Sequence, residues 1–172
     1  CIRKNNRKLM NIRNHLKNIW GWKTPRKIVV ISVDDYGNVR LDSAKAREKM
    51  DEKGLKVLSR FDAFDALETR EDLEMLFEAL NSVKDKNGNH AIFSPFALLC
   101  NINFERMAEN NYEQYEYELL PETYTKLASN YPLVYEGTWK LWKEGIDNRI
   151  VVPQFHGREH LNLKVFKEKL AK

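Results

Sequence analysis

Cysteine is scarce in this 172-residue chain, and the two that occur, Cys1 and Cys100, are far apart with no C-x-x-C spacing. This scarcity argues against a disulfide framework and against a thiolate metal knuckle. Long apolar runs are also missing, because 31% of the residues are charged and no stretch of about 18 apolar residues occurs. We therefore expect a soluble protein with no integral membrane segment. Hydrophobic residues, at 42%, still suffice for the core of one ordinary domain.

Acidic residues are absent from residues 1–27, which hold nine Lys or Arg, so 20 basic and 25 acidic residues remain beyond them, a net of −5. A nucleic-acid-binding protein is expected to continue its basic stripe across the body of the domain, so we expect no nucleic-acid partner. Leu9, Ile12, Leu16 and Ile19 fall at helical spacing. The segment 1–26 is therefore predicted to be a basic amphipathic helix with a solvated polar face, rather than a membrane or phosphate contact.

The start of the chain has neither an initiator methionine nor the apolar core of a signal peptide. We therefore expect a fragment or a processed product. The cytoplasm is the default location, and the sequence alone does not fix the compartment.

Two short apolar runs, each ending in charged or imidazole side chains, predict strands of a parallel sheet. Residues 27–33 are rich in β-branched side chains and predict a buried strand that stops at Asp34. Residues 149–155 predict a similar buried strand that ends at His156. Ligands bind at the carboxyl ends of the strands in such folds, so both strand ends are candidate functional positions.

Amphipathic helical patterns alternate with these strands, which predicts an α/β domain over 27–172. The predicted helices are 42–54, which either Asp42 or Ser43 can cap, 69–84 with a Thr69/Asp72 capping box, one opening at Pro121, one from Thr138 to Ile146, and one from about Leu161 to Leu170. Residues 91–100 predict a further strand, in which Pro95 indicates an edge, a bulge or a strand end. Residues 105–120, crowded with Glu, Tyr and Asn, predict a long exposed loop.

Asp34, Asp35, His156 and His160 form the chemically distinctive set. Adjacent side chains on a strand diverge, so one aspartate can ligate an ion while the other faces substrate; the alternative is that one caps the turn and the other is solvated. The histidines are four residues apart, which on the first turn of a helix would place both imidazoles on one face, able to share a metal. The alternative is a pair of solvated surface imidazoles.

Two histidines and one carboxylate leave coordination positions open, which is typical of a catalytic rather than a structural metal site. A divalent ion with open positions binds water, lowers its pKa toward about 7 and polarises a carbonyl oxygen. The natural chemistry of the set is therefore hydrolysis of an acyl ester or amide.

Two strings resemble the motifs of the polysaccharide deacetylases, the NodB-type carbohydrate esterases. Ser32-Val33-Asp34-Asp35-Tyr36-Gly37 is similar to the T-F-D-D-G of that family, and His156-Gly157-Arg158-Glu159-His160-Leu161 is similar to its H-[ST]-x-x-H-P. The resemblance implies a partial or distorted (β/α) barrel, a carbohydrate substrate, and zinc as the usual ion. It also implies that Asp34 is the catalytic base and that Asp35, His156 and His160 are the metal ligands.

The chain departs from that pattern at several positions. Gly157 replaces the Ser or Thr, Leu161 replaces the Pro, and Gly37 is displaced by one position. The downstream motifs of the family, which supply an Arg, groove aromatics and a general-acid His, have no counterpart in the 12 residues after His160. The resemblance therefore implies a divergent member that is incomplete at its C-terminal end and lacks the family's acid.

Two rival functions follow from the same residues. Residues 156–160 also fit H-x-x-E-H, the pattern of a zinc metallopeptidase in which Glu159 would be the base; otherwise Arg158 and Glu159 form a local ion pair or orient a ligating imidazole. A non-catalytic remnant could instead bind carbohydrate by stacking sugars on Trp139, Trp142 or the tyrosines of 112–117, although these aromatics fit core and loop packing better.

Overall fold

The computed structural model describes residue 16 and residues 19–55 and 66–170. Most of the predicted N-terminal helix over 1–26 lies outside these ranges. The described elements, in chain order, are β1 (Ile31–Tyr36), α1 (Ala44–Glu52), α2 (Arg70–Ser82), β2 (Phe93–Leu98), β3 (Cys100–Ile102), α3 (Phe104–Glu109), β4 (Tyr117–Leu119), α4 (Leu120–Asn130), α5 (Pro132–Tyr135), α6 (Thr138–Asp147), β5 (Gln154–Gly157) and α7 (Leu163–Leu170).

A three-stranded parallel sheet, in the order β1-β2-β5, is the centre of the fold. β3 and β4 form a separate antiparallel pair. The predicted α/β class with parallel strands is confirmed, since helices connect β1 to β2 and β2 to β5. Within the described ranges the strands do not close into a barrel, and no helix is long and apolar enough to cross a membrane.

Two helices begin where the sequence predicted caps. The Ser43 hydroxyl accepts a hydrogen bond from the Ala46 N–H at 3.1 Å and starts α1. The Thr69 hydroxyl accepts from the Asp72 N–H at 3.1 Å, while the Asp72 carboxylate accepts from the Thr69 N–H at 2.8 Å. This reciprocal pair satisfies two backbone donors at the start of α2 and confirms the predicted capping box.

Helices α2, α4 and α6 pack together around the main core, which also takes up residues of the sheet. The buried members of this core are Leu67, Leu73, Leu80, Phe93, Leu120, Tyr124, Trp142 and Val151. Gly145 of α6 faces α2 so closely that an added Cβ would lie 2.5 Å from a ring carbon of Phe77. A glycine is therefore needed for this close approach of the two helices.

The prediction that the first and last strands are buried is wrong for most of their residues. In β1, Val33 is 46% exposed, and in β5, Phe155 is 73% exposed. Both strands are edges of the described sheet, with β2 between them. An apolar, β-branched run favours a strand, but it carries no information on whether another layer covers that strand.

Pro95 lies in the central strand β2, so two of its three predicted positions, the edge and the strand end, are wrong. The third, a bulge, agrees with the structure, because Pro95 pairs with Val33, where the register between β1 and β2 begins to shift. The Phe93 N–H donates to the Ile150 carbonyl, and the Val152 N–H donates to the Phe93 carbonyl, so Phe93 bonds toward the β5 side. The backbone groups of Pro95, two residues further on, point to the same side. β5 begins only at Gln154, which leaves a gap in the ladder where the proline has no N–H to offer.

The predicted long loop over 105–120 is also wrong, because α3 and β4 occupy much of it. Met107 of α3 is buried, and so is Glu118 of β4. The Glu118 carboxylate accepts hydrogen bonds from the Thr123 hydroxyl at 2.9 Å and from the Lys126 ammonium at 3.0 Å. The polar composition of these residues led to the prediction of a loop. A glutamate that is buried with two hydrogen-bond partners cannot be distinguished in the sequence from a solvated one.

Candidate metal centre

The candidate site residues predicted from the sequence meet at the carboxyl ends of the strands of the parallel sheet. Asp34 and Asp35 lie near the end of β1, His156 lies near the end of β5, and His160 follows three residues after that strand ends. Strand β2 lies between β1, which with the loop after it is here called the aspartate arm, and β5, which with the segment up to His160 is called the histidine arm. The structure therefore brings together all four residues of the predicted set, which are separated by about 120 positions in sequence.

Both strand ends that carry the candidate ligands are bulged against β2. In β1 the register shifts between Val33 and Tyr36, so the two aspartates together oppose the single residue Phe96. In β5 the residues on either side of His156 pair with consecutive residues of β2, which leaves His156 as the extra residue. A bulge bends the strand and turns a side chain away from its regular direction, and bulges are common beside active sites.

The backbone around the aspartates and histidines adopts conformations that side chains normally disfavour. Asp35 has φ +57°, at a cost of about 1–2 kcal/mol for a residue with a Cβ. Gly37 has φ +86° and lies against Leu120, and Gly157 has φ +151°. The glycine between the two histidines is thus explained by the backbone turn that follows His156.

Asp35 is the centre of the cluster. Its Oδ1 lies 3.1 Å from His156 Nε2 and also contacts His160 Nε2. The two imidazole centroids are 5.3 Å apart, and the three candidate ligand atoms all lie within 4.8 Å of one another. Ligand atoms around a tetrahedral zinc ion are about 3.3 Å apart, given bond lengths of about 2.0–2.2 Å. The donor set therefore fits a divalent ion, and zinc suits two imidazoles and a carboxylate.

Asp34 takes a different position from Asp35, although the two carboxylates do not diverge as predicted. Asp34 Oδ1 lies 3.3 Å from His156 Nε2 and accepts the Asp35 N–H at 3.2 Å. Its side chain is 72% exposed, against 34% for Asp35, and it does not belong to the set that could share one ion. Asp34 thus remains beside the cluster with its carboxylate open to solvent.

The prediction that the histidines share the first turn of a helix is wrong. His156 belongs to strand β5, and His160 lies in an irregular segment before α7 begins at Leu163. Their imidazoles converge because of the bulge and the turn at Gly157, not because of helical spacing. The metallopeptidase hypothesis needs both histidines inside a helix, so the structure does not support it.

Arg158 and Glu159 form the predicted ion pair, with Arg158 Nη2 2.7 Å from Glu159 Oε1. The Arg158 guanidinium also lies 4.8 Å above the ring of Tyr117. Among the contacts of the described residues, neither side chain bonds to an imidazole, so the alternative role of orienting a ligand has no support. The bidentate pairing also occupies the Glu159 carboxylate that a peptidase would need as its base.

Asp35 lines two clefts. One, of about 380 Å³, is lined by Asp35 and His160 together with Asn38, Arg40, Ile102 and Leu161. The other, of about 450 Å³, is lined by Asp34 and Asp35 together with Asn38, Glu68 and Asp72. Arg40 Nη2 lies 3.6 Å from Asp35 Oδ2, the oxygen that does not face the histidines. Asp35 is thus accessible from two clefts, one of which His160 also lines.

Asn101 is a buried residue beside the candidate centre that the sequence did not reveal. Its Oδ1 accepts the Val39 N–H at 2.7 Å, and its Nδ2 donates to the Gly37 carbonyl at 3.0 Å and to the Thr123 hydroxyl at 3.2 Å. The side chain is buried and fixes the loop that leaves Asp35. A lone asparagine after an apolar run has no distinctive spacing, so no sequence signal could have identified it.

Glu68 is a second residue that the sequence missed. Its Oε1 accepts hydrogen bonds from the Tyr124 hydroxyl and the Trp142 Nε1–H. Burial raises the pKa of the Glu68 carboxyl, although both hydrogen bonds act in the opposite direction. Burial and the nearby Glu68 charge also raise the pKa of Tyr124 well above its ordinary value. Glu68 is also one of the residues that line the cleft beside Asp34.

The aromatic residues considered for sugar stacking are mostly engaged elsewhere. Trp142 is buried in the core, and Trp139 stacks on Tyr124 with ring centroids 5.9 Å apart. Tyr115 packs edge-on against Phe166, and Tyr117 lies under Arg158. Core and loop packing thus accounts for these rings, as expected for the more common role of such residues.

The chain matches no protein-family model, no curated protein and no solved structure. Its function therefore has to be argued from the chemistry of the site itself.

Proposed function

We propose that this protein is a metal-dependent hydrolase that removes acyl groups, acetyl in particular, from a carbohydrate. Asp35, His156 and His160 would hold a divalent ion, zinc by preference, and Asp34 would be the base. The (β/α) barrel belongs to the same proposal, since a parallel sheet with helical connections is compatible with part of one. The carbohydrate substrate comes from the resemblance of the two motifs to the polysaccharide deacetylases.

One observation carries the metal centre: three candidate ligand atoms, two from bulged strand ends and one from the segment after β5, lie within 4.8 Å of one another at the carboxyl ends of a parallel sheet. Acidic and imidazole groups on a surface are common without a metal. Here, however, each arm deviates from regular strand geometry at the residues that converge, and Asp35 does so at an energetic cost. Strain that places a side chain in a cluster supports a functional role for that cluster.

A bound ion would supply Lewis-acid polarisation of the acyl carbonyl and a water of lowered pKa. The chain supplies the rest. The exposed Asp34 carboxylate can accept a proton from the attacking water and return it to the leaving nitrogen or oxygen, so that acid and alcohol or amine are both released. Asp35 is less suited to this role, because its Oδ1 faces both imidazoles and its Oδ2 lies 3.6 Å from the Arg40 guanidinium.

The decisive experiment combines metal analysis with acetate release from acetylated oligosaccharides. Purified protein is expected to hold about one zinc per chain and to release acetate. Asp34→Asn should keep the zinc and lose acetate release, because it removes the proton acceptor and not a ligand. Asp35→Asn should lose both the zinc and acetate release, because it removes the negatively charged ligand, which lies against both imidazoles.

Each alternative gives a different result. Zinc without acetate release in the unaltered protein would favour a non-catalytic carbohydrate-binding remnant. Peptide cleavage that is abolished by Glu159→Ala and survives Asp35→Ala would instead support the metallopeptidase. Absence of a bound metal from the unaltered protein would contradict the proposed centre altogether.

A further inference from the structure

The end of β2 and the start of β3 lie between the two arms of the candidate centre and contact both. The Leu99 N–H donates to the Gly157 carbonyl at 3.3 Å, and the Cys100 N–H donates to the Arg158 carbonyl at 2.8 Å. These bonds fix the backbone of the histidine arm directly after His156. The next residue in the chain, Asn101, bonds in turn to the aspartate arm.

Asn101 fixes the aspartate arm through its side chain alone. The Gly37 carbonyl and the Val39 N–H belong to a loop that has left the β ladder, and Asn101 satisfies both. Backbone groups that lose such partners and stay buried destabilise the conformation that buries them. Asp35 lies two residues before Gly37, so the same bonds limit where the Asp35 carboxylate can go.

The Asn101 amide has no freedom to rotate. Its oxygen accepts from a backbone N–H, and its two N–H groups donate to a carbonyl and to Thr123 Oγ1, so an exchange of oxygen and nitrogen would break these bonds. Thr123 donates to Glu118, which accepts from Lys126 at 3.0 Å. The amide is thereby tied to helix α4, and Asn101 is only 2% exposed.

We propose that Asn101 is a positioning residue of the metal centre, which keeps Asp35 close to His156 and His160. Asn101 bonds the loop after Asp35, and its chain neighbours Leu99 and Cys100 bond the backbone after His156, so one segment holds both sides of the centre. This inference rests on the proposed metal centre and extends it to a residue that contacts no ligand atom. Support of this kind typically changes metal affinity by about 10–100-fold when it is removed.

The test uses Co²⁺ as a spectroscopic probe of the full chain. Asn101→Leu removes both bonds to the loop, and we expect the dissociation constant for Co²⁺ to rise by about 10–100-fold, with a changed visible absorption spectrum. Thr123→Val is the matched control. Thr123 is as buried as Asn101, and its loss removes the hydrogen bonds of its hydroxyl with Asn101, Glu118 and the Leu119 carbonyl, while both bonds from Asn101 to the loop remain. It should lower the unfolding midpoint and leave the Co²⁺ spectrum unchanged.

Three outcomes decide the matter. Co²⁺ affinity and spectrum that are unchanged in Asn101→Leu would refute the positioning role and leave the metal centre standing. An unaltered protein that binds no Co²⁺ would overturn the centre and this inference together, whereas Co²⁺ binding without acetate release would overturn only the proposed activity. If Asn101→Leu does not fold, hydrogen exchange in the unaltered protein decides, because the Val39 amide must then be protected; exchange at the rate of an open loop would refute the inference.

Discussion

Gly145→Ala should destabilise the fold at the contact between α6 and α2. The new Cβ would lie 2.5 Å from Phe77 Cζ and 3.0 Å from Val151 Cγ2, both closer than atoms pack without movement. Overpacking of a core costs about 1–3 kcal/mol, whereas alanine gains about 1 kcal/mol over glycine within a helix. Because two neighbours are affected and Val151 is buried, we expect the clash to win, with a net loss of about 1–2 kcal/mol.

Urea denaturation would measure this loss, and thermal unfolding should show a midpoint lower by about 2–8 °C for a chain of this size. The matched variant is Gly145→Ala combined with Phe77→Leu, which removes the nearest ring atom. The pair should be less destabilised than the sum of the two single changes, by about 1 kcal/mol. A Gly145→Ala protein as stable as the unaltered one would refute the close packing of α2 on α6.

Three further predictions concern the site and the buried charges. Zinc at 100 times its dissociation constant should add about 2.7 kcal/mol, or about 5–11 °C in the unfolding midpoint, and His160→Ala should abolish this shift. Burial raises the folded-state pKa of Glu68 above its ordinary 4.5, so its contribution to stability is fully present below that value and is lost as the pH rises toward the folded-state pKa. Glu68→Gln should therefore gain stability relative to the unaltered protein between pH 4 and pH 7 in urea titrations, and a difference independent of pH would contradict this. Lys126→Met should cost about 1–3 kcal/mol because it leaves the buried Glu118 carboxylate without its cation, whereas Glu105→Gln, at an exposed partner of the same lysine, should cost less than about 1 kcal/mol.

Patterns that depend on local chemistry predicted the structure well. The caps at Ser43 and Thr69 gave the starts of two helices, because a side-chain oxygen beside free backbone donors has few alternatives. The parallel arrangement followed from apolar runs alternating with helices. That arrangement in turn brings Asp35 and His156 to one edge, since parallel strands end on the same side of their sheet.

Features set by the rest of the fold could not be predicted in the same way. The apolar run that contains Val33 indicates a strand but not its neighbours, so its exposure was missed. Pro95 is tolerated in the central strand because β5 begins late, at Gln154. That start is set some 60 residues further along the chain, so the sequence around Pro95 does not show it. Asn101 acts across more than 60 residues through bonds to the backbone, and such bonds leave no periodic trace in the sequence.

The two bulges explain why the histidine spacing led to the right cluster through the wrong geometry. On a regular strand, Asp34 and Asp35 would point to opposite faces, and on a helix His156 and His160 would share a face. The structure has neither arrangement. The extra residue in each strand end and the left-handed backbone at Asp35 turn its carboxylate toward both imidazoles, and Asp34 remains exposed beside them. The proposed division of roles between the two aspartates, Asp35 as ligand and Asp34 as base, therefore depends on the backbone conformation of this segment, which pairs with β2 and whose following loop is bonded by Asn101.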